Sequence, residues 1–382
     1  MKRILDYDEM NELLSSLDNI KKCEPIGFSN FGYSIYGHGE NHVIITGGTH
    51  ASELISNIFV IRFMEKLSKG EISIDTDLYT LDFIPFVNPE GTIIVTSTIR
   101  SLIDLDMNES VAQTYCLTYY RNSYIEDMFA DKYNDKDDKI SHLMFRHFDP
   151  SVIGGELGKS ISNIIAKYNL PRGCTINWSS NGRGIDLNSN IECGEFVDRV
   201  KKDEKIYNTL HLNGIRRDLP GPLGCPYYKY GEIEPENMAL LKFYDFISKE
   251  YNLIGSFIYH SCGNIVYYLG KANSKNPWNE NFGKKEVSNN LKCAKKYASS
   301  INYKMDGMEK CTTMDSKLKS LYPVTLLIEL GSVRSTPLAQ FMDLDIPGSS
   351  EDFEYVYSKI IEDNTKAILE TIPVMLKISK EG

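Results

Sequence analysis

The stretch NHVIITGGTHASELISNIFVIRFMEKLSKG, residues 41–70, contains the change of hydrophobic pattern on which the fold assignment depends. It opens with a short β-branched run that closes at Gly47 and Gly48, which is typical of a buried strand. From Ser52 onward, apolar residues recur at helical spacing until Gly70. The stretch therefore predicts a strand followed directly by a helix.

Three further apolar runs extend this pattern along the chain. LYTLDFIPFVNPEG, residues 78–91, predicts a second strand, and strand, helix, strand is the unit of an α/β sheet with right-handed crossovers. LIGSFIYHSCG, residues 253–263, and YPVTLLIELG, residues 322–331, also have the character of buried strands. No internal repeat or low-complexity linker divides the sequence, so we expect one α/β domain over residues 1–382.

A polar, tyrosine-rich stretch separates the early strands from the later ones. Its most charged part, residues 131–150, contains no buried-strand run. We therefore expect an insertion at about residues 93–170 that forms a lid or a wall of the substrate site rather than sheet core. Near the C-terminus, residues 349–376 have the pattern of a capped amphipathic helix.

The charge and cysteine patterns exclude several classes of protein. The net charge of −10 is spread along the chain without a sustained basic run, so we expect no nucleic-acid partner. No apolar stretch approaches the roughly 20 residues of a spanning helix, and acidic residues interrupt the N-terminal segment, so we expect no membrane association and a cytoplasmic location. The eight cysteines form no C-x-x-C motif, which favours reduced thiols.

Polar residues stand at the ends of three of the predicted strands. His260 and Glu329 close the two later runs, and His50 follows the run that ends at Thr46. Open α/β sheets bind ligands outside the carboxyl ends of their strands, so these three side chains are predicted to converge on one crevice.

The pair His50 and Glu53 can be interpreted in two ways. Catalytic zinc commonly takes three His or carboxylate ligands and leaves a position for water, and this pair would supply two of them from one turn. Alternatively, Glu53 interacts favourably with the positive end of the helix that follows, and His50 is a polar surface residue. The motif H-x-x-E alone does not decide between them.

The third ligand has several candidates among the other histidines. Five of them have polar neighbours and are predicted to lie at the surface: His38, His42, His142, His147 and His211. His260 is the exception because it ends an apolar strand, although a core histidine with satisfied hydrogen bonds would show the same pattern. Glu329 is predicted to be buried, and a buried carboxylate requires either a cation or a chemical task.

Five segments, in this order, resemble the zinc carboxypeptidase family of carboxypeptidase A-like metallopeptidases: GGTHASE, FVNPEG, NGRGIDLNSN, FIYHSCG and LLIELG. The resemblance runs from about Ile26 to the C-terminal region and is interrupted by the predicted insertion. It implies a single α/β domain with a twisted, mixed, mostly parallel β-sheet flanked by helices.

Two longer segments are most similar to one bacterial branch of that family, the γ-D-glutamyl-diamino acid endopeptidases. These segments are NWSSNGRGIDLNSN, residues 177–190, and ELGSVRSTPLAQF, residues 329–341. Members of this branch cut the stem peptides of peptidoglycan, which implies a similar substrate for this chain.

The resemblance also implies roles for individual residues. His50, Glu53 and His260 would bind one Zn²⁺ per chain, and Glu329 would act as general base and acid. Arg183 would polarise the scissile carbonyl, with Arg172 as an alternative for the same role, and Asn188 would bind a substrate carboxylate.

The chain departs from the family pattern at two positions. Typical members have D-L-N-R, whereas Ser189 stands here in place of the arginine, and a serine cannot form a bidentate pair with a terminal carboxylate. Ser189 is therefore predicted, with Asn188, to bind substrate, and we expect a ligand that is not a simple α-carboxylate. Thr313 stands where the family has a mobile tyrosine, and Tyr322 lies at a strand start.

The sequence thus predicts a zinc metallopeptidase that hydrolyses amide bonds of small peptides, in particular peptidoglycan stem peptides at the γ-D-Glu–diaminopimelate bond. The expected partner is a small peptide or muropeptide. Two alternatives remain open: a zinc deacylase or amidase that acts on acylated amino acids, and a non-catalytic peptide-binding relative.

Overall fold

The structure is a computed structural model of the chain. It describes residues 6–23, 32–104, 150–168, 170, 175, 178–191, 220–221, 232–261, 263–270, 284–308, 313–331 and 353–381. The strands are β1 (Lys21–Cys23), β2 (Tyr33–Gly37), β3 (Asn41–Thr46), β4 (Tyr79–Ile84), β5 (Asn252–His260), β6 (Ile265–Leu269), β7 (Lys304–Met308) and β8 (Val324–Glu329). The helices are α1 (Tyr7–Ser15), α2 (Leu54–Ser68), α3 (Pro89–Asp104), α4 (Gly155–Tyr168), α5 (Pro235–Glu250), α6 (Lys284–Ile301), α7 (Met314–Leu321) and α8 (Phe353–Lys380), with a 3₁₀ helix at Pro150–Ile153.

The eight strands form one mixed sheet in the order β1-β2-β4-β3-β5-β8-β6-β7. The four central strands, β4, β3, β5 and β8, are parallel, and so are β6 and β7. Antiparallel pairs join β1 to β2, β2 to β4 and β6 to β8. The predicted α/β domain with a mixed, mostly parallel sheet flanked by helices is therefore confirmed.

Two hydrophobic clusters cover the two faces of the sheet. Residues of β3 alternate between them, since Val43 and Ile45 belong to the larger cluster and Ile44 belongs to the smaller one. Because both faces are covered, the central strands are buried along nearly their whole length, and the few polar residues among them, such as Asp82 and Thr325, are buried as well. This explains the continuous apolar runs from which the strands were predicted.

The strand-to-helix stretch that begins with β3 is confirmed, and α2 is one of the most buried helices described. Its side chains are buried from Leu54 through Met64, so α2 shows no polar outer face along most of its length. Arg62 lies within this buried region, where its Nη1 donates to Glu65 Oε2 at 2.6 Å. A helix that is buried on nearly all sides anchors the turn that precedes it.

The structure confirms the predicted C-terminal helix and describes the two ends of the predicted insertion. α8 spans 28 residues and packs mainly on α6. Within residues 93–170, the ends form α3 and α4, and Ile94 and Ile161 are buried in the larger core cluster. Residues 105–149 lie outside the described part of the chain, so the insertion stays a prediction.

One histidine predicted to lie at the surface does not. His42 is 5% exposed, its Nδ1 lies 2.7 Å from Asp82 Oδ2, and its ring stacks on Tyr251 at a centroid distance of 4.1 Å. The surface prediction for His42 was wrong because an aspartate on the neighbouring strand gives its ring a buried partner. His38 is exposed and lies 2.8 Å from Asp77; His142, His147 and His211 lie outside the described residues.

In the described ranges, none of the helices combines the length and the apolar character that crossing a membrane requires.

Packing between β5 and β8 depends on Gly255. A Cβ added there would lie 2.9 Å from the carbonyl oxygen of Val324 and 2.5 Å from Met375 Sδ. We expect Gly255→Ala to lower the free energy of unfolding by about 1–3 kcal/mol, because the backbone oxygen cannot move out of the way. Denaturant unfolding measures this.

The matched control is Gly32→Ala, whose Cβ would meet Cys23 O at an ordinary 3.5 Å. It should change the free energy of unfolding by less than about 1 kcal/mol. Equal destabilisation by both substitutions would contradict the packing argument.

Candidate metal centre

His50, Glu53 and His260 lie together at the carboxyl ends of β3 and β5. Each offers one ligand atom, and these atoms lie within 4.8 Å of one another. Glu53 Oε1 is 2.9 Å from His50 Nδ1, and Glu53 Oε2 is 2.9 Å from His260 Nδ1. The two imidazole rings are 4.9 Å apart. The carboxylate therefore lies between the two imidazoles, and both present the same ring nitrogen to it.

The turn between β3 and α2 brings the side chains of His50 and Glu53 together. Gly48 has a positive φ of 72°, and a Cβ there would lie 2.0 Å from Asn57 Nδ2. The amide of Glu53 donates to the carbonyl of His50 at 3.1 Å, which closes a tight turn. Ser261 N also donates to Glu53 Oε2 at 3.1 Å, which fixes the carboxylate from the β5 side.

Two aspartate carboxylates lie close to the outer nitrogens of the two imidazoles. Asp186 Oδ1 lies 3.3 Å from His50 Nε2, and Asp315 Oδ2 lies 3.0 Å from His260 Nε2. Metal-binding histidines usually have such a partner, because it fixes the ring orientation and the tautomer. Sequence analysis did not single out either aspartate. Asp186 could have been found inside the motif NGRGIDLNSN, whereas Asp315 carries no local signal.

The charges of this cluster fit a divalent cation. Burial alone would lower the pKa of His50, but Glu53 and Asp186 raise it to about 10. Burial likewise opposes the charged form of His260, yet Asp315 and Glu53 raise its pKa well above the usual value. Burial would raise the pKa of Glu53, but the two histidines lower it to about 2. Two imidazoles and one carboxylate, surrounded by excess negative charge, form a donor set that suits zinc.

Glu329 is the last residue of β8 and lies directly opposite His260 in the parallel register. Burial and the neighbouring charge of Glu53 raise its pKa to about 7, although His260 and His50 act in the opposite direction. A carboxyl group with this pKa can both accept and release a proton near neutral pH.

Among the described residues, neither candidate arginine belongs to this cluster. The side chain of Arg183 is 58% exposed, and its Nη1 lies 3.2 Å from Oε1 of the buried Glu234. Arg172 lies outside the described residues. The role of Arg183 at the scissile carbonyl therefore stays a prediction.

Asn188 and Ser189 lie beside the two aspartates that hold the histidines. Asn188 O accepts from Met314 N at 2.7 Å, and Asn188 Oδ1 accepts from Asp315 N at 3.3 Å. Ser189 Oγ donates to Asp186 Oδ2 at 2.5 Å. Their predicted contacts with substrate stay predictions.

The two candidates for the missing mobile tyrosine both have structural contacts. Thr313 caps the N-terminus of α7 in a reciprocal capping box with Ser316. Tyr322 is buried, and its hydroxyl donates to Asp245 Oδ1 at 3.3 Å.

The fold is shared with several solved structures. The structure of thrombin activatable fibrinolysis inhibitor (TAFI) aligns with a TM-score of 0.52 and 13% identity, covering 98% of this chain and 73% of that chain. The bovine protein in complex with tick carboxypeptidase inhibitor gives 0.53 and 14%, covering 100% and 99%. Carboxypeptidase A from Helicoverpa armigera gives 0.51 and 13%, covering 100% and 74%.

Residues 18–144 match the sequence model of the family described as zinc carboxypeptidase. The matched range contains His50 and Glu53 but ends before His260 and Glu329. No curated protein sequence matches the chain. The solved structures show the fold, and the match over residues 18–144, together with the donor set of His50, Glu53 and His260, supports a zinc-dependent hydrolase of the metallopeptidase class.

Single substitutions distinguish the three candidate metal ligands from Glu329. We expect His50→Ala, Glu53→Ala and His260→Ala each to lower zinc occupancy strongly, because each removes one of the donors that catalytic sites require. Glu329→Gln should leave zinc close to one ion per chain, since the amide removes only the charge. Metal analysis of the dialysed proteins measures this, and equal loss in all four would contradict the assignment.

A buried acidic pair supports the segment that carries Asp186. Asn181 Nδ2 donates to Glu234 Oε2 at 2.8 Å and to Glu236 Oε1 at 3.4 Å. Burial raises the pKa of Glu236 from 4.5 to about 7. The folded protein therefore holds this proton more tightly than the unfolded chain, so its stability should fall as pH rises from about 4.5 to 7.

Glu236→Gln should remove this pH dependence. The pKa shift corresponds to at most about 3 kcal/mol of stability. Between pH 5 and pH 8, the unfolding free energy of wild type should therefore fall by about 1–3 kcal/mol more than that of the variant. Urea unfolding at both pH values measures this. Glu156→Gln, at an exposed position of α4, should behave as wild type. Identical pH slopes in all three proteins would contradict the prediction.

Proposed function

We propose that the chain is a zinc-dependent metallopeptidase that hydrolyses amide bonds of small peptides. One observation carries this proposal: His50, Glu53 and His260 meet at the strand ends with Glu329 on the adjacent strand. The arrangement combines a cation-binding donor set with a group that transfers protons.

The chemistry divides between the ion and the chain's own side chains. Zinc held by His50, Glu53 and His260 would lower the pKa of a coordinated water to about 7 and polarise a carbonyl. The carboxylate of Glu329 would take the proton from the attacking water and deliver it to the leaving amine.

A cationic side chain at the carbonyl oxygen would stabilise the charge that develops in the transition state. We assign this role to Arg183, with Arg172 as the alternative. Arg183 is more than half exposed, so it can exchange its contact with Glu234 for one with substrate.

The proposed substrate is a peptidoglycan stem peptide, cut at the γ-D-Glu–diaminopimelate bond. Two features support it: the resemblance of residues 177–190 to enzymes that cut this bond, and Ser189 in place of an arginine that would bind a terminal carboxylate. Asn188 and Ser189 would contact this substrate. We also propose a cytoplasmic location, with which reduced thiols are consistent; Cys23 and Cys293 are free thiols.

The bonding of Ser189 and Arg183 also favours a second candidate, a zinc deacylase or amidase that acts on acylated amino acids. Ser189 Oγ is engaged by Asp186, and Arg183 pairs with Glu234. Neither side chain is placed in this structure to bind a peptide's terminal carboxylate.

The decisive experiment is a mass-spectrometric digest of L-Ala-γ-D-Glu-meso-diaminopimelate by the zinc-loaded protein. We expect release of free diaminopimelate by wild type, and a rate at least about 100-fold lower for Glu329→Gln because the proton-transfer group is lost. The matched control is the α-linked isomer of the same peptide, which should be cut much more slowly.

The other outcomes are equally informative. Release of acyl groups from N-acyl amino acids, without peptide cleavage, would replace the peptidase by the deacylase. No hydrolysis of either substrate by protein with verified zinc would leave a peptide-binding role. Equal cleavage of both linkage isomers would contradict the peptidoglycan assignment.

A further inference from the structure

The side chain of Asp186 is held in place by its own loop. Its Oδ1 accepts from the amides of Asn188 at 2.9 Å and Ser189 at 3.4 Å, and its Oδ2 accepts from Ser189 Oγ at 2.5 Å. Oδ1 also lies 3.3 Å from His50 Nε2. Ser189 is therefore bonded to the carboxylate that contacts a candidate zinc ligand.

The short Ser189 hydrogen bond limits rotation of the carboxylate. The two amides donate to Oδ1, whereas the Ser189 hydroxyl donates to Oδ2, so the hydroxyl adds a constraint on the last torsion of the carboxylate that the two amides do not supply. With Oδ2 bonded to Ser189, the oxygen facing His50 is fixed. The ring of His50 then keeps Nδ1 towards Glu53, as metal binding by that nitrogen requires.

We propose that Ser189 is a positioning residue for the metal centre, acting through Asp186 on His50. The inference rests on the proposed function, because it assumes that His50 binds zinc. In the family that the sequence resembles, this position carries an arginine that binds substrate. In this chain, Ser189 at the same position supports a metal ligand instead.

The backbone of the same segment is held by other side chains. Asn237 Nδ2 donates to the carbonyls of Leu187 and Asn190 at 2.7 and 2.8 Å. Trp178 Nε1 donates to Asn181 O at 2.9 Å. Loss of the Ser189 hydroxyl should therefore leave the fold of the segment intact and affect mainly the orientation of Asp186.

The test measures metal affinity rather than hydrolysis. Removing an outer partner of a metal ligand typically weakens affinity by about 10–100-fold, so Ser189→Ala should weaken zinc binding by about 10-fold in chelator competition. Ser189→Thr keeps the hydroxyl and should restore most of the affinity. The thermal midpoint of the metal-free protein should be the same for all three proteins.

A double-mutant comparison tests whether the effect passes through Asp186. In an Asp186→Asn background, Ser189→Ala should cause little further loss, because the carboxylate that it orients is already gone. The matched control is Ser160→Ala, whose hydroxyl donates to Gly182 O at 3.3 Å in the same segment but away from the histidines. It should bind zinc as wild type does.

Two results would overturn the inference: wild-type zinc affinity in folded Ser189→Ala, or an equal loss in Ser160→Ala. Should Ser189→Ala not fold, Ser189→Cys, a weaker donor of similar size, repeats the comparison. Tight zinc binding without hydrolysis by wild type would contradict the proposed function alone. Hydrolysis by wild type, with unchanged zinc affinity in Ser189→Ala, would contradict this inference alone.

Discussion

The contact on which the site depends is the carboxylate of Glu53 between two imidazoles. Each of its oxygens lies 2.9 Å from one histidine nitrogen, so a single side chain joins the end of β3 to the end of β5. Glu53 is also the residue before α2, and its side chain makes no helix-capping hydrogen bond. The carboxylate thus contacts the histidines rather than the end of the helix, and the buried helix α2 fixes the position of Glu53.

The parallel centre of the sheet makes this arrangement possible. Because β3, β5 and β8 are neighbours and run in the same direction, their last residues meet at one edge. The histidine and the glutamate that end β5 and β8 are paired in register, which sets their spacing through backbone hydrogen bonds. A loop then adds Asp186 and helix α7 adds Asp315, which lie on the outer side of the two histidines.

The sequence predicted the parts that depend on local patterns. The apolar runs located the strands that carry the site, and their polar last residues indicated where ligands would meet. Contacts between distant segments could not be predicted in this way. Asp315 reaches His260 only because α7 packs beside β8, and His42 is buried only because Asp82 lies on the adjacent strand. Neither pairing can be recognised from the hydrophobic periodicity of the sequence.

The register between β5 and β8 has a consequence for how the protein loses its site. His260 and Glu329 end two neighbouring central strands of an eight-stranded sheet, so the distance between their backbones can change only when that ladder opens. Opening central strands costs nearly the full stability of a domain, whereas surface loops open at far lower cost. Slow amide exchange should therefore extend to these strand ends, and heating should disorder the surrounding loops first. His260 and Glu329 would then keep their spacing in molecules whose loops have already lost order.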